Sequence, residues 1–161
     1  MSIPNRYLPN ILSKKDYKKQ KTNILKSRKL YKKGIYYTRP KVSSFHSKPS
    51  NHIKNAEKIY NLKKILPNKE LSMKSGCSIN SLEKIVNKGR GAYFSSGSRP
   101  NQTAESWGIA RLASALTGGK SSIVDYNILY DGCKKNSKAL KMATKTCKKE
   151  KKCKKYTMKN Y

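Results

Sequence analysis

Three groups of residues in this 161-residue sequence have types and spacings suited to holding an anion, and none is suited to covalent catalysis. Six lysines, Lys148, Lys149, Lys151, Lys152, Lys154 and Lys155, crowd the C-terminal end. Ammonium groups at that density neutralise phosphates and release condensed counterions, which gives affinity that falls steeply with salt. In KGRGAYFSSGSRPNQT (88–103), Arg90 and Arg99 flank Tyr93 and Phe94 among Gly89, Gly91, Gly97 and the hydroxyls of Ser95, Ser96 and Ser98. Exposed N–H groups, hydroxyls and two guanidinium forks make a cradle for phosphate or carboxylate. The competing reading is a tightly turned structural loop with both aromatics in the core. Asn80 and Lys84 form the third group, within ELSMKSGCSINSLEKIVNK (70–88).

That last segment has the spacing of a helix-turn-helix. Leu71, Ser72, Gly76, Cys77, Leu82 and Ile85 occupy its packing and turn positions, and Ser78 is a suitable N-cap. Ser75 stands where an apolar residue is usual. The pattern turns Ser78, Ile79, Asn80, Glu83, Lys84 and Asn87 outward, where Asn80 could read adenine and Lys84 guanine or phosphate. A helical hairpin that merely packs fits the same spacing equally well.

Catalytic groups are scarce. His46 and His52 lie far from Cys77, Cys133, Cys147 and Cys153, no Cys-x-x-Cys pair occurs, and free thiols are the expectation. Asp125 is expected at a helix end or in a salt bridge rather than as a general base. No phosphate-binding loop of the nucleotide-hydrolysing kind is present. The sequence therefore predicts no enzyme, no metal, no cofactor and no small-molecule substrate.

The elements that must position these groups follow from charge and periodicity. Lys and Arg number 38 against 8 acids, for a net charge of +30. Residues 1–74 hold 20 basic and 3 acidic residues, 75–133 hold 6 and 4, and 134–161 hold 12 and 1. A nearly neutral centre thus lies between two basic arms, an imbalance beyond what solubility asks for. Ser13 with Asp16 opens a helix expected over 13–33 and ending at Gly34. Ile35–Phe45 reads as extended and Ser43–Asn51 as a linker. A helix from Asn51 carries Ile53, Ala56, Ile59, Tyr60 and Ile65 and is expected to stop at Pro67. Thr103 caps a helix in which Trp107 is expected in the core, and Gly118-Gly119 ends it. Ser121 and Ser122 cap a final packed segment that runs to Gly132. A helix over 137–146 is expected in the last arm, followed by a tail that orders only on binding. No apolar run approaches the roughly 20 residues of a membrane span, and no signal-peptide core is present, which suggests a protein made and kept, or packaged, inside a cell.

The expected fold is mostly α: a small helical module at 69–133, with the hairpin and the Gly/Ser/Arg loop, flanked by extended basic arms at 1–50 and 134–161 and by a helix and linker at 51–68. Over Gly76–Cys133, and above all in RGAYFSSGSRPNQT and SWGIARLASALTGGK, the chain resembles a domain of unknown function of large DNA viruses of protists, mimivirus-like viruses among them, and of some phages. SRKLYKKGIYYTRPKV (27–42) and NHIKNAEKIY (51–60) resemble its longer giant-virus members. The resemblance implies a viral source, with the virion and the cytoplasmic virus factory as locations. Together with the charge it yields the expectation of a nucleic-acid-binding protein, on DNA rather than RNA. The alternative is a minor capsid or cementing protein that touches capsid subunits.

Overall fold

The structure is a computed structural model that describes residues 2–157, of Thr157 the backbone only; residues 158–161 of the expected C-terminal arm lie outside the described residues. Nine α-helices occur among the described residues, with no strand: α1 (Lys14–Tyr31), α2 (Asn51–Tyr60), α3 (Lys69–Ser75), α4 (Ile79–Ser95), α5 (Ala104–Leu116), α6 (Lys120–Val124), α7 (Tyr126–Gly132), α8 (Lys138–Lys149) and α9 (Lys154–Thr157). The protein is mostly α, as its periodicity predicts. No described helix is long and apolar enough to cross a membrane.

The chain forms two compact units that interleave along the sequence. The first takes residues 1–48 and 88–108, the second 49–87 and 109–161, so both α4 and α5 pass from one unit into the other. This division cuts across the boundaries that charge alone suggests.

In the first unit, Ser13 caps α1 as expected: the Asp16 N–H donates to Ser13 Oγ at 3.1 Å. The residues α1 buries are Asp16, Gln20, Ile24 and Ser27, while its lysines face solvent. Three of those four are polar, and each has a partner. Asp16 Oδ2 accepts from the Ser44 N–H at 2.8 Å, and Gln20 donates to the carbonyl oxygens of Tyr7 and Ser98. Hydrogen bonds from Ser44, through its hydroxyl and its backbone N–H, hold the Asp16 carboxyl below the usual carboxylate range. The segment 35–48 is non-helical, as predicted, but it is tied down: Asn101 bonds the Val42 N–H and carbonyl and the Phe45 carbonyl. The N-terminal basic segment is therefore folded rather than an extended arm.

α4 runs through two glycines. Gly89 and Gly91 were expected in a loop, yet both lie inside α4. A Cβ on Gly89 would stand 2.6 Å from the Gly108 Cα of α5, so the helices touch there backbone to backbone, which only this pair of residues permits. Trp107 beside it is half-buried, edge-on to Tyr7 with ring centroids 5.9 Å apart, rather than in the core.

The second unit packs hydrocarbon. Leu71, Leu82, Ile85, Leu112, Leu116 and Leu129 are all fully buried in it. Each such side chain contributes about 1.5–3 kcal/mol on leaving water. α2 stops at Tyr60, not Pro67, because Asn61 adopts a left-handed conformation (φ 52°). α3 ends at Gly76 (φ 77°), and Ser78 Oγ accepts from the Ser81 N–H at 3.2 Å to start α4. Ser75, polar in an apolar position, is buried with its hydroxyl accepting from the Cys77 N–H. The expected single segment after Gly119 is two helices, broken at Asp125. That carboxylate is fully buried and takes two bonds of 2.8 Å from Arg111.

All four cysteines are paired, against the expectation of free thiols: Cys77 with Cys133 and Cys147 with Cys153. Cys77 and Cys133 also form an isolated antiparallel bridge, with the Ser78 N–H on the Gly132 carbonyl and the Lys134 N–H on the Gly76 carbonyl. The turn between α3 and α4 is thereby sewn to the end of α7.

Candidate nucleic-acid interface

A dense positive surface grows from α8. Ser137 caps this helix, with its Oγ accepting from the Leu140 N–H at 3.2 Å. Ala139, Leu140, Ala143 and Cys147 form its buried stripe, and Lys138, Lys141, Lys145, Lys148 and Lys149 are exposed on the rest. Spacings of three and four residues put Lys138, Lys141, Lys145 and Lys148 on one helical face. Like charges so close repel one another, and a bound polyanion relieves that repulsion.

The tail continues this surface instead of trailing away. The Lys152 N–H donates to the Cys147 carbonyl at 2.8 Å, Lys151 and Cys153 take left-handed conformations, and the Cys147–Cys153 disulfide closes the loop. Lys148, Lys149, Lys151 and Lys152 stand on this short closed loop, with Lys154 and Lys155 just after it, and all six are exposed. Tyr156 of α9 then packs on Tyr126 and Tyr130, with ring centroids 5.5 and 5.0 Å away. The expectation of a tail without structure of its own is thus corrected through residue 157. The fixing comes from a covalent clasp and an aromatic contact.

A cleft of about 430 Å³ opens beside α8, lined by Tyr126, Tyr130, Lys135, Leu140, Lys141, Thr144, Lys145 and Lys148. Tyr126 is buried and shares a 2.8 Å hydrogen bond with Thr144, so it forms a fixed wall. Tyr130 is half-buried, and the Lys135 ammonium lies 3.2 Å from its ring centroid. The lining holds four lysines and no acid.

The other expected contact residues fall in both units. Asn80 and Lys84 are exposed on α4, as are Ile79, Glu83 and Asn87 and, just before the helix, Ser78, the whole face expected to point outward. Arg90 lies on α4 and is bound to Glu105 by both Nε, at 2.8 Å, and Nη2. Arg99 is exposed. The phosphate cradle of 88–103 does not form. The N–H groups of Gly89 and Gly91 lie within the helix, and the Ser98 hydroxyl is buried between the Arg39 guanidinium and the Arg99 carbonyl.

Arg39 is what that motif is built around. Its backbone N–H donates to the Tyr93 hydroxyl at 3.0 Å. Nη1 donates to the Tyr93 carbonyl at 2.7 Å and to Ser27 Oγ at 3.2 Å, and Nη2 to Ser98 Oγ at 2.7 Å. The guanidinium lies 3.8 Å from the Tyr93 ring centroid. These partners are hydroxyls, a carbonyl and a π face, with no carboxylate among them, and burial lowers the Arg39 pKa.

A model of a family of unknown function, DUF5824, matches residues 4–131. The chain belongs to that family. No curated protein and no solved structure matches it. The DUF5824 match takes in the whole Arg39–Tyr93–Ser98 network and the cleft's two tyrosines. It stops before Lys135 and α8, so the lysine surface lies beyond the matched residues. Sequence reasoning missed Lys135, Lys141 and Lys145 as individual contacts. The eight-residue run from Lys141 through Lys145 to Lys148 held the signal, since it repeats at helical spacing opposite Leu140, Ala143 and Cys147.

Proposed function

We propose that this DUF5824 protein binds nucleic acid, DNA in preference to RNA, chiefly by phosphate contacts, and that it is a virion-associated protein of a large DNA virus rather than an enzyme. The observation that carries this reading is the lysine face of α8, prolonged by the clasped loop and α9: ten exposed lysines from Lys135 to Lys155 with one acid, Glu150, among them. The exposed side of α4, with Asn80 and Lys84, follows a three-residue turn and suits helix-turn-helix docking in a groove. Arg99 adds an outward guanidinium. Arg90, held by Glu105, contributes less than its position in the sequence suggests. The viral source is supported by the resemblance in RGAYFSSGSRPNQT. Four paired cysteines suit a chain kept in a particle better than one kept in reducing cytosol.

A salt titration of DNA binding tests the reading. Neutralising four of the six lysines Lys148, Lys149, Lys151, Lys152, Lys154 and Lys155 should flatten the log–log slope by about three to four units if all four meet duplex phosphates. An unchanged slope would remove this surface from the interface. The capsid-cementing alternative relies on arms that gain order from larger subunits, and both basic segments here are folded on their own unit. Indifference to DNA with stoichiometric recovery in purified shells would nonetheless put that alternative in place of the proposal.

A further inference from the structure

We propose that the cleft between α7 and α8 receives an unpaired nucleobase of a single strand, stacked on Tyr130, while Lys141, Lys145 and Lys148 take the phosphates on either side. This deepens the phosphate-binding reading above and rests on it. A duplex offers such a cleft only backbone, because its bases are stacked inward; a single strand offers both phosphates and π faces. The site has partners for both. Tyr130 is a half-buried ring beside a fixed wall, Tyr126, locked by Thr144 and backed by Tyr156. The volume of about 430 Å³ falls within the range of small-molecule sites. Lys141 and Lys148 are seven residues apart on one helix, so their stems start about 10 Å apart along it, enough to address more than one phosphate.

Lys135 supplies the remaining piece. Its ammonium rests over the Tyr130 ring, on the short connection between α7 and α8, and the residue is otherwise exposed. An incoming base takes that ring face, and the displaced ammonium turns to the adjoining phosphate. The same cation thus covers the aromatic surface when the cleft is empty and holds the strand when it is full.

The test uses the full chain and three probes: a short oligothymidylate, its abasic counterpart with the same number of phosphates, and a duplex. The expected result is that the chain binds oligothymidylate about five- to a hundredfold more tightly than the abasic strand. Tyr130→Leu, with its fold checked by circular dichroism, should erase that preference, the variant binding oligothymidylate and the abasic strand alike. Equal binding of the two strands by the wild-type chain overturns the proposal, and so does a preference that survives in Tyr130→Leu. A measurement without any variant covers the case of a misfolded substitution: photo-crosslinking with a bromouracil-containing strand, followed by peptide mapping. Crosslinks within 126–148 support the proposal, and crosslinks confined to other segments overturn it. Failure of the underlying phosphate reading has a different outcome, since all three probes would then be ignored at low salt.

Discussion

Arg39, Gln20 and Ser27 occupy interior positions in the first unit that, in the second, belong to residues such as Leu82, Leu112 and Leu129. The second unit holds together as most small domains do, by removing hydrocarbon from water, and two disulfides and the Arg111–Asp125 pair reinforce it. The first unit has fewer large apolar side chains and no disulfide. Its interior combines apolar residues such as Tyr7, Ile24 and Tyr93 with a set of matched donors and acceptors around a buried cation, Arg39. Apolar cores tolerate exchange of one hydrocarbon for another of similar volume, whereas a buried polar group tolerates only a neighbour that completes its hydrogen bonds. A long, specific-looking run such as RGAYFSSGSRPNQT can therefore be a packing motif, its tyrosine and serine aimed at an arginine some 55 residues earlier in the chain.

This contrast can be broken most forcefully at Arg39. Arg39→Met leaves the Ser27 and Ser98 hydroxyls and the Tyr93 carbonyl without their donor and should cost roughly 3–5 kcal/mol of stability, read by urea denaturation. A loss below about 1 kcal/mol would mean that the polar interior is incidental. On the other side, replacing Cys77 and Cys133 with alanine opens a link that spans 56 residues and should cost about 4 kcal/mol by the chain-entropy account. Hydrogen exchange should show that loss in the second unit, with the amides around Arg39 unaffected. Opening Cys147–Cys153, a separation of 6, should cost about 2 kcal/mol and release Tyr156 from Tyr126 and Tyr130.

The smallest effect is in pH. The Asp16 pKa is depressed in the folded protein, so its contribution is complete above the unfolded carboxylate value and disappears as pH falls through the lower, folded one. Acid titration should loosen the 43–44 segment that Asp16 holds, and Asp16→Asn should remove that dependence. An acid transition indifferent to Asp16→Asn would discard the assignment.

Much of the local chemistry was legible. Ser13, Ser78 and Ser137 cap helices because a hydroxyl three residues before an amide is enough information, and Gly34 and Gly76 turn left-handed where they stand alone. Features set by distant partners were not. Gly89 and Gly91 look like helix breakers until Gly108 is known to lie against Gly89. Asn61 ends α2 well before Pro67, and a lone asparagine signals this weakly. Neither the Cys77–Cys133 pairing nor the burial of Arg39 leaves a trace within a short window. For the candidate interface, the lysines of α8 could be read from their spacing. Tyr126 falls in the expected packed segment and Tyr130 carried no expectation, and only the folded arrangement of α7 against α8 and Lys135 makes a cleft of them.

The interleaving of the units sets an order of events during synthesis. The first 48 residues leave the ribosome long before 88–108, the stretch that supplies Tyr93, Ser98 and Asn101 to them. Until then the basic N-terminal helix has no completed unit to join. Closure of the second unit comes later still, because its two links, Cys77–Cys133 and then Cys147–Cys153, wait for Cys133 and Cys153 to emerge.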